Sequence, residues 1–125
     1  MIRLLIDTHA LLWWLIDDPQ LTTAARGAIE DPANTPLVST ASVWEVAIKR
    51  SLGKLETPDD LPERITGEGF EWLPVSAEHA WQVRNLPPHH RDPFDRLIVA
   101  QAMVDRLPVV TGDAQFDAYG VTTYW

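Results

Sequence analysis

Met1-Ile2-Arg3-Leu4-Leu5-Ile6-Asp7-Thr8-His9 is the stretch that decides the architecture. Its aliphatic run stops at the carboxylate of Asp7, and a second apolar block, Ala10-Leu11-Leu12-Trp13-Trp14-Leu15, follows at once. A strand covered on both faces reads as a continuous apolar run, and one that turns directly into a helix belongs to a parallel sheet. In open α/β sheets ligands bind beyond the carboxyl ends of the strands, so Asp7 stands where chemistry is usually placed.

Working outward, the same alternation continues. Thr8 to Ile16 reads as a helix closed by Asp17-Asp18-Pro19, because proline forbids continuation. Thr22 or Thr23 caps a second helix to Glu30, and Pro32 to Pro36 reads as a loop before the short strand Leu37-Val38-Ser39. Thr40 to Arg50 is a helix apolar on most sides, hence buried, ended by a left-handed Gly53. A helix from Thr57 to about Thr66, a strand within Phe70 to Val75 and an amphipathic helix from Ser76 to Leu86 come next. Ala77, Ala80, Trp81 and Val83 are expected to supply much of the apolar face of that last helix, with His79 on the surface. Asp92-Pro93 opens a helix to Val104, Leu107 to Thr111 is a strand, Gly112-Asp113 turns into a short helix to Tyr119, and Val121 to Tyr124 is the last strand. Strands separated by helices imply a mostly parallel sheet with helices on both faces, in one domain spanning residues 1–125.

Composition narrows the chemistry. The absence of cysteine excludes disulfides and thiolate metal sites and fits a reducing compartment. No apolar run is long enough to span a bilayer and Asp7 interrupts the N-terminal one, so a cytoplasmic protein with no membrane partner is expected. A formal charge of −8 argues against holding nucleic acid by bulk electrostatics, so a polyanionic substrate requires a cation or a local basic patch. Adjacent Trp13 and Trp14 are not expected to share one core, which places one of them at an interface or cleft.

Asp7, Glu45, Asp95 and Asp113 stand at strand ends or in first helical turns. Each also has a structural reading. Asp7, Asp92 and Asp113 suit helix caps, Asp95 suits a first helical turn, and Glu45 completes Ser42-x-x-Glu45, a capping box, and can pair with Lys49. Caps do not explain why Glu45 sits among Val43, Trp44, Val46, Ala47 and Ile48, or why Asp7 ends the most hydrophobic strand. In a parallel sheet these acids share one edge, where clustered carboxylates repel and are driven to protonate unless a cation neutralises them. Oxygen donors without cysteine select a hard divalent ion, Mg2+ or Mn2+, and such a site suits metal-assisted phosphodiester cleavage.

Taken together, Leu5 to Trp13, Ser42 to Lys49 with Gly53-Lys54-Leu55, His90 to Ala102, and Thr111-Gly112-Asp113 with Phe116 and Tyr119 resemble the successive motifs of PIN-domain proteins. They are most similar to the VapC-type toxins of bacterial toxin–antitoxin pairs, over essentially the whole chain. The resemblance implies a three-layer α/β/α sandwich and Mg2+- or Mn2+-dependent endoribonuclease activity that leaves a 5′-phosphate and a 3′-hydroxyl. It further implies a homodimer and a small cognate antitoxin that inhibits the enzyme and through which alone operator DNA is bound. Carried onto this chain, it makes Asp7, Glu45 and Asp95 the core acids and Asp113 the fourth, with Asp92 near the site.

Around these acids, the Thr8 hydroxyl is a candidate to orient water, while His89 and His90 read as solvated loop residues. Lys49, Arg50, Lys54, Arg91 and Arg96 are candidates for a basic rim that contacts RNA phosphates, with Arg96 alternatively paired to a site carboxylate. The rival reading is a non-catalytic PIN-like protein-binding module whose acids serve as helix caps. A receiver-like domain is disfavoured, since no second acid adjoins Asp7 and no lysine ends a late strand.

Overall fold

The computed structural model describes residues 2–125, and among them five strands form one sheet. β1 (Ile2–Ile6), β2 (Asn34–Ser39), β3 (Glu71–Leu73), β4 (Val109–Val110) and β5 (Thr123–Tyr124) lie in the order β3-β2-β1-β4-β5, every neighbouring pair parallel. α1 (Thr8–Leu15) and α2 (Thr23–Glu30) join β1 to β2, and α3 (Thr40–Ser51) and α4 (Leu61–Gly67) join β2 to β3. α5 (Ala77–Gln82) and α6 (Pro93–Asp105) lead to β4, and a 3-10 helix, Ala114–Tyr119, leads to β5. None of the helices among the described residues is long and apolar enough to cross a membrane.

The aliphatic run of β1 explains the layers. Leu4 and Ile6 enter one core with Leu11, Ala25, Ile29 and Ile65, whereas Leu5 enters a second with Leu37, Ile98, Val99 and Phe116. Successive strand side chains point to opposite faces, so a run without polar breaks buries on both. Each such side chain contributes roughly 1.5–3 kcal/mol on burial, which clamps β1 between the layers. The first core is closed mainly by α1, α2 and α4 and the second by α6 and the 3-10 helix, giving the expected α/β/α sandwich.

Strand order then sets the position of the cleft. From β1 the chain winds to β2 and β3 with helices on one face, and from β3 it crosses to β4 and β5 with helices on the other. β1 and β4 therefore flank the topological switch, where connections leave in opposite directions and a crevice opens.

Several expectations are corrected. β2 begins at Asn34, so Pro36 lies within a strand, opposite Leu4. Pairing with β3 starts only at Leu37, which leaves Pro36 on an open edge where its missing N–H breaks no ladder bond. α3 buries one face only, with Trp44 59% exposed, and it is capped by Ser39, whose Oγ accepts from Ala41 N at 3.0 Å. The Ser42–Glu45 capping box is absent because the helix starts earlier, placing Glu45 in the second turn.

On α5 the expected faces are reversed, since Ala77, Ala80 and Trp81 are exposed while His79 is buried at 3% exposure; of the expected face only Val83, just past the helix, packs on the second core. The ring of His79 closes a capping box with Ser76 and meets Asp105 Oδ2 at 3.0 Å, so its polar atoms are satisfied inside. Trp13 and Trp14 are both half-buried and, against expectation, both pack on the first core, Trp14 edge-on to Phe70 and Trp13 against Trp125. Gly53 is left-handed at φ 70°, with Lys54 N bonded to Lys49 O and Gly53 N to Arg50 O, the double closure that ends α3.

Candidate active site

Asp7 ends β1 at the switch point and is 3% exposed. Its Oδ1 accepts from Ala10 N at 2.7 Å, capping α1, and its Oδ2 accepts from Thr111 Oγ1 at 2.5 Å. Thr111 follows β4, so this bond ties together the two strands that flank the crevice. The same Thr111 hydroxyl oxygen accepts from Asp113 N at 3.1 Å, which fixes the turn carrying the next acid. Burial holds the carboxyl of Asp7 above the usual range, against the hydrogen bonds from Thr111 and Ala10 that lower it.

Asp113 is half-buried. Its Oδ1 caps the 3-10 helix through Gln115 N at 2.9 Å, and its Oδ2 lies 2.8 Å from Nε2 of His90. Asp95 lies in the first turn of α6, 8% exposed, with Oδ2 3.1 Å from the same Nε2. The carboxyl of Asp95 is pushed up to about 7, first by burial and then by the nearby charges of Asp92 and Glu45. Asp92 is the cap of α6, accepting from Phe94 N at 2.8 Å and Asp95 N at 3.3 Å.

Glu45 arrives from α3 and is 1% exposed. Lys49, one turn on, donates to its Oε2 at 2.6 Å, a bond that raises the pKa of the lysine. Its Oε1 has no partner and is one of only two such buried side-chain atoms among the described residues, the other being Gln101 Oε1. A buried carboxylate oxygen without a donor is costly and calls for a ligand. Trp44 and Phe94 meet edge-on at 5.0 Å beside Glu45 and Asp95 and close the seam between α3 and α6.

Among the described residues, His90, Asp95 and Asp113 form a group whose candidate donor atoms all lie within 4.8 Å of one another. Glu45 and Asp7 border this set and act on Asp95 through space. The acids offer carboxylate oxygens, and the like charges of Asp92 and Glu45 that add to burial in pushing Asp95 up are what a cation would relieve.

Other expected site residues are otherwise engaged. The Thr8 hydroxyl is buried and donates to Ser42 Oγ at 2.9 Å, pinning α1 to α3. Arg50 pairs with Asp59 on the surface. Arg96 donates to the carbonyls of Pro87 at 2.9 Å and Leu86 at 3.2 Å and lies 3.3 Å from the Tyr119 hydroxyl, so it fastens a loop and pairs with no site acid. Arg91 is exposed. His90, expected in a solvated loop, is half-buried between two acids, and Thr111, read only as a strand end, binds Asp7. The sequence signals for both were closeness to an acid and a place in the motifs His90 to Ala102 and Thr111-Gly112-Asp113.

An acidic cluster at the switch point of a doubly wound parallel sheet defines a class of α/β proteins that bind at the strand ends. The chain belongs to the PIN domain family, whose model matches residues 4–121. It is 39% identical over 59 residues to Ribonuclease VapC16 of Mycobacterium tuberculosis, across 44% of this chain and 40% of that protein. Among solved structures, VapBC2 from Rickettsia felis, bound to a DNA fragment from its promoter, matches with TM-score 0.73 and 14% identity over 98% of this chain and 97% of that one. DNA-bound VapBC from Salmonella typhimurium matches with TM-score 0.67 and 18% identity, over 98% and 97% of the two chains. At such identities these likenesses report the fold.

Proposed function

We propose that this PIN domain is a VapC-type toxin, an endoribonuclease dependent on Mg2+ or Mn2+ that cleaves RNA phosphodiesters to a 5′-phosphate and a 3′-hydroxyl. The observation that carries the reading is Glu45, a fully buried acid that caps no helix and keeps one oxygen without a donor beside Asp95. A divalent ion held by Asp7, Glu45, Asp95 and Asp113 would supply positive charge to the scissile phosphate and a more acidic water. The chain supplies the frame. Thr111 and the start of α1 aim Asp7, Lys49 holds Glu45 in place, and Asp92 sets the first turn that presents Asp95.

By the same reading, a small antitoxin inhibits the enzyme and carries any contact with operator DNA, and two copies form a homodimer. The DNA-bound VapBC complexes among the fold relatives support the antitoxin. An open apolar strip of Val43, Trp44, Ala47 and Trp72 beside the site is a surface suited to a protein partner.

The rival, a binding module whose acids only cap helices, draws on the caps made by Asp7, Asp92 and Asp113 and on the Glu45–Lys49 pair, but leaves the buried Oε1 of Glu45 unexplained. Asp7→Asn keeps an oxygen for the α1 cap and removes the charge. The variant should fold and lose cleavage of RNA by on the order of 10²-fold or more, since metal-held charge is worth several kcal/mol. The test is cleavage with and without Mg2+ or Mn2+, on protein co-expressed with its upstream neighbouring reading frame and then freed of it. Metal-dependent cleavage that survives in Asp7→Asn would sink the assignment of the site.

A further inference from the structure

We infer that His90 is a positioning residue for Asp95 and Asp113, acting through an Nε2–H that the backbone holds in the donor state. The inference rests on the metal-site reading above and adds to it a residue that is not an acid. Nδ1 of His90 accepts from Asp92 N at 3.1 Å. A neutral imidazole has one donor and one acceptor nitrogen, so acceptance at Nδ1 leaves the proton on Nε2. That nitrogen is hydrogen-bonded to Asp113 Oδ2 at 2.8 Å and lies 3.1 Å from Asp95 Oδ2. Carrying hydrogen, Nε2 has no lone pair for a metal, and its effect is to orient the oxygens that would hold one.

The ring is placed firmly enough for this. Its side chain is 12% exposed and stands edge-on to Phe116 at 6.2 Å. Its main-chain N–H donates to the Tyr119 hydroxyl at 2.8 Å, and Arg96 ties the preceding carbonyls of Leu86 and Pro87 to α6. The loop is thereby fastened to both elements whose acids the ring touches. Asp95 and Asp113 come from different connections, and like charges push them apart. A ring bonded to Asp113 and in contact with Asp95 sets their spacing.

Two substitutions separate positioning from loop structure. Gln extends an amide N–H to about the reach of Nε2 but offers Asp92 N no acceptor, whereas Asn places its amide near Nδ1 and reaches no farther. A merely structural role ranks H90N above H90Q in every property. Positioning reverses that rank for metal affinity alone. Mn2+ titration followed by electron paramagnetic resonance should show H90N weakened roughly 10- to 100-fold, as for other residues that orient metal ligands, and H90Q nearer the wild type. Melting temperature should follow the opposite order. Equal Mn2+ affinity in wild type and H90N, or affinities that simply track melting temperature, would overturn the inference while leaving the acid site standing. A directly bound nitrogen in the Mn2+ spectrum that vanishes in H90Q would overturn it too, because His90 would then be a ligand. Failure of the wild type to bind Mn2+ would remove the metal-site reading and this inference with it.

Discussion

At the scale of single residues, capping and chemistry turn out not to compete. Asp7 uses Oδ1 for the α1 cap and Oδ2 toward Thr111, and Asp113 divides its oxygens between Gln115 N and His90. A carboxylate at a helix start is aimed by the very backbone N–H it satisfies, so the cap is what makes the side chain rigid. Asp95 shows the electrostatic consequence. Between its ordinary value of 3.8 and about 7, the folded protein keeps a proton there that the unfolded chain has lost. Stability contributed by this group therefore falls as pH rises through that window. In metal-free protein, Asp95→Asn should raise stability to urea at pH 8, by on the order of 2 kcal/mol once solvent screening is allowed for. Near pH 4 it should change stability little. Destabilisation of Asp95→Asn at pH 8 would show that the carboxylate is favoured there.

At the scale of elements, α6 was the most legible, because Asp92-Pro93 marks its start in the sequence and the structure begins it at Pro93. Asp92→Ala removes the acceptor for Phe94 N and Asp95 N and should cost about 1 kcal/mol in denaturant unfolding. Asp92→Ser, which keeps a capping oxygen, should restore most of it. Unchanged stability of the alanine variant would refute the cap. α3 was less legible, since Ser39 and Ser42 are both competent caps and only the end of β2 at Ser39 selects the first. α5 misled for a similar reason: its apolar residues face solvent while His79 turns inward to Asp105, a partner on another helix that local pattern does not reveal.

At the scale of the whole molecule, the formal charge of −8 and the engagement of nearby cations bear on substrate binding. Lys49 is tied to Glu45, Arg50 to Asp59 and Arg96 to loop carbonyls, which leaves few cations near the site for phosphates. Single-stranded binding loses about 0.7 in log affinity per log unit of salt for each phosphate contact, so two or three contacts give a slope of roughly −1.4 to −2. RNA affinity of an inactive Asp7→Asn variant, measured across salt concentrations, should fall with about that slope. A slope several times steeper would require a basic surface elsewhere.

By itself the sequence determined the alternation of strands and helices, the burial of β1 on both faces, the caps of α1, α2 and α6, and which carboxylates lie at strand ends. Those properties follow from local pattern and hydrophobic periodicity. Only the tertiary structure decided that β1 and β4 are neighbours at the switch point, so that Thr111 meets Asp7 across 104 residues of chain. It also decided that His90 lies between Asp95 and Asp113 rather than in solvent, and that Arg96 serves the loop beneath it. Strand order is chosen by the packing of whole layers, and a contact between distant residues exists only once that order is set.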